Sequence, residues 1–116
     1  MRKIAVLGAG SWGTALSIVL SDNNHDVRLW SHRKEQVDEI NEHHTNKRYL
    51  DVTLPEKLRA YHSLEEALKD VEAILVVLPS SAIREIAQKI KSYISDDMLL
   101  IHASKGIEND TPPDML

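Results

Sequence analysis

Residues Gly8-Ala9-Gly10-Ser11-Trp12-Gly13 form a G-x-G-x-x-G run directly behind the apolar segment Ile4-Ala5-Val6-Leu7. The order reads as strand, tight turn and helix start, and it restricts the fold more than any other stretch. Gly8 and Gly10 let the backbone turn sharply and come within contact distance of a pyrophosphate, because no Cβ stands in the way. Gly13 lets helix and sheet pack closely. The helix N-terminus then offers unpaired N–H groups and the positive end of its dipole to the phosphates. The same glycines would also suit an ordinary strand-to-helix turn, so context has to decide. The strand before the motif is an unbroken apolar run. Ala15, Leu16, Ile18, Val19 and Leu20 after it have the apolar density of a helix packed on a sheet.

The rest of the chain supplies more units of the same kind. Apolar runs alternate with helical patterns along the whole length, which predicts an α/β fold of the Rossmann type: a doubly wound, mostly parallel sheet in the order βαβαβαβαβ. Strands are expected at Lys3–Leu7, Val27–Trp30, Leu58–Tyr61, Ala73–Leu78 and Met98–His102. Helices are expected over Ser11–Ser21 and Lys34–His43, the second with Val37 and Ile40 facing inward and its Glu, Gln and Asp residues facing out. Ser63 and Glu66 make a capping-box pattern that opens a helix through Ala67, Leu68 and Val71. Ser80 or Ser81 is placed to cap a helix carrying Ile83, Ile86, Ala87, Ile90 and Ile94. The polar connection His44 to Pro55 is of the length that is often functional or mobile.

Residues 1–110 are thus expected to form one nucleotide-binding domain. Thr111-Pro112-Pro113-Asp114 has the chemistry of a helix start, and 111–116 is read as the beginning of a truncated helix in the N-terminal portion of a longer protein. A net charge of −4 and the lack of a long Lys/Arg tract argue against nucleic acid or an anionic membrane as the main partner. With no cysteine and no leader or membrane-span pattern, a cytoplasmic location is expected. His43 and His44 are neighbours rather than i, i+4 partners, so no metal site is expected and both are read as solvated. The acidic run Glu65, Glu66, Asp70 and Glu72 reads as a solvated face.

Three further places bear on chemistry. A dinucleotide fold usually ends its second strand in an acid that accepts from the ribose 2′-OH. Here that place holds Trp30-Ser31-His32-Arg33-Lys34. Cations at a helix start oppose the dipole unless an anion binds there, and a 2′-phosphate would be such an anion. His32 and Arg33 are therefore candidate cofactor contacts with NADP favoured over NAD; stacking of Arg33 on adenine would serve both, and a solvated basic corner is the plain alternative. Trp12 is too large to lie beneath a loop that must approach phosphates, so it lines the cleft or packs at a domain interface. Lys105 follows the fifth strand at the edge where open α/β sheets bind ligands, although a surface lysine is equally expected from position alone.

Taken together, Gly8 to Leu16, Trp30-Ser31-His32-Arg33, Asn46-Lys47-Arg48-Tyr49-Leu50, Pro79-Ser80 and Ser104-Lys105-Gly106-Ile107-Glu108 resemble bacterial NAD(P)-dependent glycerol-3-phosphate dehydrogenase. The resemblance spans essentially the whole chain, with Asp51 standing where that family usually has Pro. It implies interconversion of dihydroxyacetone phosphate, a phosphorylated triose, and sn-glycerol 3-phosphate for glycerophospholipid synthesis. It implies Gly8, Gly10, Ser11, Trp12, Gly13, His32, Arg33 and Lys105 at the cofactor, and Lys105 also at the substrate. A helical substrate domain with the proton-donor lysine is implied beyond this chain, so that no catalytic acid is expected within it, and a homodimer is implied for the full-length protein. The alternatives are another reductase sharing this domain, of ketopantoate or pyrroline-carboxylate type, and a non-catalytic NAD(P)-sensing domain.

Overall fold

A computed structural model describes residues 2–102. Strand β1 (Lys3–Leu7) leads into helix α1 (Ser11–Asp22), followed by β2 (Asp26–Trp30), α2 (Lys34–His43), β3 (Arg59–Tyr61), α3 (Leu64–Leu68), β4 (Ala73–Val76), α4 (Ser80–Ile90) and β5 (Leu99–His102). The sheet order is β3-β2-β1-β4-β5 and every pairing is parallel. The chain moves outward from β1 to β3, then crosses back to lay β4 on the other side of β1. That reversal makes the carboxyl ends of β1 and β4 a topological switch point, where sheets of this kind bind ligands.

The period-2 alternation of a strand sends Ile4 and Val6 to one face of β1 and Ala5 and Leu7 to the other. Each face has its own core. Ile4, Val6, Val27, Leu29, Ile40, Leu54 and Leu58 form one, under α1 and α2; Ala5, Leu7, Trp30, Leu68, Ile74, Val76, Ile86 and Ile90 form the other, under α3 and α4. Burial on both sides accounts for the unbroken apolar runs of β1 and β4, whereas Leu99, Leu100 and Ile101 of β5 are exposed.

The helices depart from expectation in instructive ways. In α1 the buried stripe is Gly13, Thr14, Ser17 and Ser21, while Leu16, Ile18 and Leu20 are only partly buried and Val19 is exposed. The cause is distance: a Cβ on Gly13 would fall 1.9 Å from the Gly8 carbonyl oxygen, so the helix lies too close for large side chains on its inner face. Ser17 satisfies its hydroxyl on the Gly13 carbonyl oxygen at 2.8 Å. Ser63 does accept from the Glu66 amide at 3.4 Å, yet α3 ends at Leu68 and Asp70 takes φ of 61°, so Val71 is buried from outside the helix. Pro79, not a serine hydroxyl, occupies the N-cap of α4. Ile94 packs against the second core from beyond that helix. The expected truncated helix at 111–116 lies outside the described residues.

The contact between α1 and β1 leads to a stability prediction. Replacing Gly13 by Ala forces helix and turn apart and is expected to cost about 3 kcal/mol or more. Thermal unfolding checks this, with a fall in Tm of more than about 10 °C expected and an unchanged Tm contradicting the close approach.

Candidate functional site

Parallel register carries four strand ends to one edge. Leu7 pairs with Trp30 and with Val76, and Val76 with His102, so the glycine turn, the Ser31–Arg33 corner and the carboxyl ends of β4 and β5 all lie at the same rim. Lys105 follows β5 but lies outside the described residues.

The glycine turn is fixed by steric exclusion. Gly8 has φ of 121°, a left-handed conformation, and a Cβ there would sit 2.2 Å from the Val77 carbonyl oxygen. Gly10 differs: a Cβ would meet only Tyr49, at 4.0 Å. Its missing side chain therefore serves no internal contact and leaves open space above the start of α1. Gly10 is the N-cap of α1, with no side-chain cap. The amides of Gly10, Ser11, Trp12 and Gly13 have no partner among the described residues, which leaves a cluster of donors at the positive end of the helix dipole. No acidic residue stands in the first turn to occupy them. Such a cradle, open where a phosphate would approach and rich in backbone donors, fits the pyrophosphate of a dinucleotide.

The side chains around this cradle differ in their freedom. Trp12 is 49% exposed at the first turn of α1. The Ser11 hydroxyl donates to the Tyr49 carbonyl oxygen at 3.1 Å, while its backbone amide has no partner among the described residues. At the corner after β2, His32 is exposed and its ring lies 6.4 Å from that of Trp30. Arg33 is the N-cap of α2 and its guanidinium has no partner among the described residues. Lys34, by contrast, turns along the helix to Asp38, with Nζ 3.5 Å from Oδ2. Arg33 is thus the partly buried cation of the corner that remains available to an anion.

Beneath the turn lies a polar network that periodicity did not reveal. Gln36, expected to face outward, is buried, as are Ser31, Thr14 and Asn46. The Ala9 carbonyl oxygen accepts from Gln36 Nε2 at 2.6 Å, Asn46 Nδ2 at 2.9 Å and Thr14 Oγ1 at 3.3 Å. Asn46 Nδ2 also donates to Thr14 Oγ1 at 2.8 Å, and Gln36 Nε2 to Asn46 Oδ1 at 3.1 Å. Ser31 donates its hydroxyl to Gln36 Oε1 and accepts the Arg33 amide at 3.1 Å. An amide at a helix position next to Val37 reads as a surface residue; only the buried partners make it an inner one.

The connection 44–58 that delivers Asn46 is itself pinned. Glu39 Oε2 accepts from the Lys47 amide at 3.0 Å and from Thr45 Oγ1 at 2.7 Å. Leu54 is buried, and its amide donates to the His44 carbonyl oxygen at 2.7 Å. His44, expected in solvent, is the left-handed C-cap of α2, with a buried Nδ1 that has no partner among the described residues. Its place at the end of α2 leaves the residue half-buried. Among the described residues no cluster of His, Asp or Glu is arranged to hold a metal ion, and no helix is long and apolar enough to cross a membrane.

The sequence matches the model of the NAD-dependent glycerol-3-phosphate dehydrogenase N-terminus over residues 3–115. The chain belongs to that family. It is similar to glycerol-3-phosphate dehydrogenase [NAD(P)+] of Bacillus cytotoxicus, with 60% identity over 112 residues, and to that of Streptococcus mutans, with 57% over 111. These cover 96% and 95% of this chain and 33% of each relative. The chain therefore spans about a third of the length of the curated relatives it matches. The crystal structure of glycerol-3-phosphate dehydrogenase from Coxiella burnetii aligns at a TM-score of 0.85 with 42% identity, covering 90% of this chain and 33% of that one. The Saccharomyces cerevisiae enzyme aligns at 0.84 with 28% identity, covering 90% and 34%. Likeness to a prephenate dehydrogenase at 14% identity and a TM-score of 0.67 shows the shared fold alone.

Two expected outcomes follow from this geometry. Gly10→Ala fits the open space and ordinary backbone, so Tm should shift by less than about 3 °C while NADH affinity falls roughly tenfold or more; an unaltered dissociation constant by calorimetry would contradict the cradle. The Lys47 amide, and then the Thr45 hydroxyl, hold the Glu39 carboxyl below its ordinary range. A depressed carboxyl stabilises the folded state above its unfolded pKa, and that contribution is lost as pH falls through the folded value. Glu39→Gln should therefore lower stability at pH 7 by about 1 kcal/mol or less, and the gap to wild type should close below the ordinary glutamate range near about pH 4. Thermal melts across pH check both the gap and its closure.

Proposed function

We propose that this chain is the dinucleotide-holding part of an NAD(P)-dependent sn-glycerol-3-phosphate dehydrogenase, which interconverts dihydroxyacetone phosphate and sn-glycerol 3-phosphate. The observation that carries the reading is the Gly10 cradle, whose amides have no partner among the described residues, at the switch point of a sheet whose relatives carry that enzyme's name. When bound, the nicotinamide supplies the hydride. The chain's own residues bind and orient: the amides of Gly10, Ser11 and Trp12 meet the pyrophosphate, Gly8 and Gly13 hold the turn in shape, and Trp12 walls the cleft. Lys105 is proposed at the nicotinamide end, where its ammonium would meet the substrate. The group that protonates the developing alkoxide is assigned to a region beyond these 116 residues, as are the contacts of a homodimer. A cytoplasmic location and a role in glycerophospholipid synthesis go with this reading.

For the cofactor, the Arg33 guanidinium, without a partner among the described residues, and the exposed His32 favour NADP over NAD, since a 2′-phosphate would answer the cations at the start of α2. The choice is tested by titrating NADPH and NADH into wild type and Arg33→Asp. Tighter NADPH binding is expected, with the substitution weakening NADPH roughly tenfold or more and NADH about threefold or less. Equal affinities unmoved by the substitution would overturn the preference. These 116 residues alone are expected to bind cofactor without reducing dihydroxyacetone phosphate; measurable turnover would place the catalytic acid within them.

A further inference from the structure

The Ala9–Gly10 peptide is held by more donors than a turn carbonyl needs. Gln36 Nε2, Asn46 Nδ2 and Thr14 Oγ1 all converge on the Ala9 oxygen, from α2, from the 44–58 connection and from α1. Every amide proton of the pair is used: Asn46 gives one to Ala9 and one to Thr14, and Gln36 one to Ala9 and one to Asn46. In a trans peptide the carbonyl and the following N–H lie in one plane and point opposite ways, and no cis peptide is found among the described residues. Drawing the Ala9 oxygen inward to this buried pair therefore turns the Gly10 N–H outward, toward the open space above the start of α1.

Accepting several hydrogen bonds also polarises the peptide and makes its N–H a stronger donor. The network continues through Gln36 Oε1 and Ser31 to the Arg33 amide, so the turn and the basic corner share one rigid frame.

We propose that Asn46 and Gln36 are positioning residues that clamp the Ala9 carbonyl and so aim the Gly10 amide at the pyrophosphate of the bound dinucleotide. Neither side chain touches the ligand. The inference rests on the cofactor reading above and adds a prediction that reading alone does not make. The pyrophosphate is common to both cofactors, so loss of the clamp must weaken NADH and NADPH by the same factor, unlike a change at Arg33.

The test compares wild type, Asn46→Asp and Asn46→Ser by calorimetric titration with NADH and NADPH, well below the lowest Tm of the three. Asn46→Asp puts an oxygen against the Ala9 oxygen, and Asn46→Ser removes the donor without adding charge. Both are expected to stay folded and to weaken both dinucleotides roughly tenfold or more, by matching factors and with Asp the worse. Should neither fold, Gln36→Glu takes the same titration: Asn46 still donates, and a carboxylate oxygen still accepts from Ser31, which keeps the Arg33 corner in place. Folded variants with dissociation constants within about twofold of wild type, even with a lower Tm, would overturn the clamp and leave Asn46 a structural residue. Unequal losses for the two cofactors would overturn it as well. Wild type that binds neither dinucleotide would overturn the cofactor reading itself, and the clamp with it.

Discussion

The contact between the first turn of α1 and the end of β1 is the constraint on which the rest of this structure depends. The Gly8 carbonyl oxygen occupies the space of a Cβ on Gly13, and the Val77 carbonyl oxygen that of a Cβ on Gly8. Three backbone segments meet there with no side chain between them. Because the helix is seated so closely, its inner stripe is made of Thr14, Ser17 and Ser21, of which the Ser21 hydroxyl has no partner among the described residues. Thr14 and Ser17 find partners in the Ala9 and Gly13 carbonyls. A close helix thus brings polar groups into the core directly under the turn, and those groups become the means of holding it.

From that contact the site follows in order. The parallel register brings the turn, the Ser31–Arg33 corner and the carboxyl ends of β4 and β5 to one rim. The corner is joined to the turn through Ser31 and Gln36, and the 44–58 connection through Asn46. Glu39 in turn holds that connection with hydrogen bonds to Thr45 and Lys47. A segment that has the composition of a polar loop is thereby a strut. Its exposed residues, Lys47 and Arg48 among them, surround one fully buried asparagine.

The backbone of this arrangement was legible in the sequence because it rests on local signals. Apolar runs mark β1 and β4, buried on both faces, and three glycines at fixed spacing mark a turn whose sterics admit no Cβ at Gly8 or Gly13. The corner at His32 and Arg33 was legible by its distance from the glycines. Gln36 and Asn46 were not. An amide reads as polar in any pattern, and what buries it is a set of partners 27 and 37 residues away, at Ala9. The early end of α3 was hidden for a similar reason: Asp70 in a left-handed conformation takes Val71 into the core without a further helical turn. Family membership, carried by several segments at once, came from combination rather than from any single motif.

In the proposed function, the edge at the carboxyl ends of β1, β2 and β4 is a dinucleotide site built from backbone donors. Backbone amide chemical shifts of the isotope-labelled chain, followed as NADH and then NADPH are added, test it most directly. The largest changes are expected at Gly10, Ser11, Trp12 and Gly13, with Arg33 joining them for NADPH. Changes centred instead on the opposite edge of the sheet, around Arg2, Lys69 and Glu72, would contradict it.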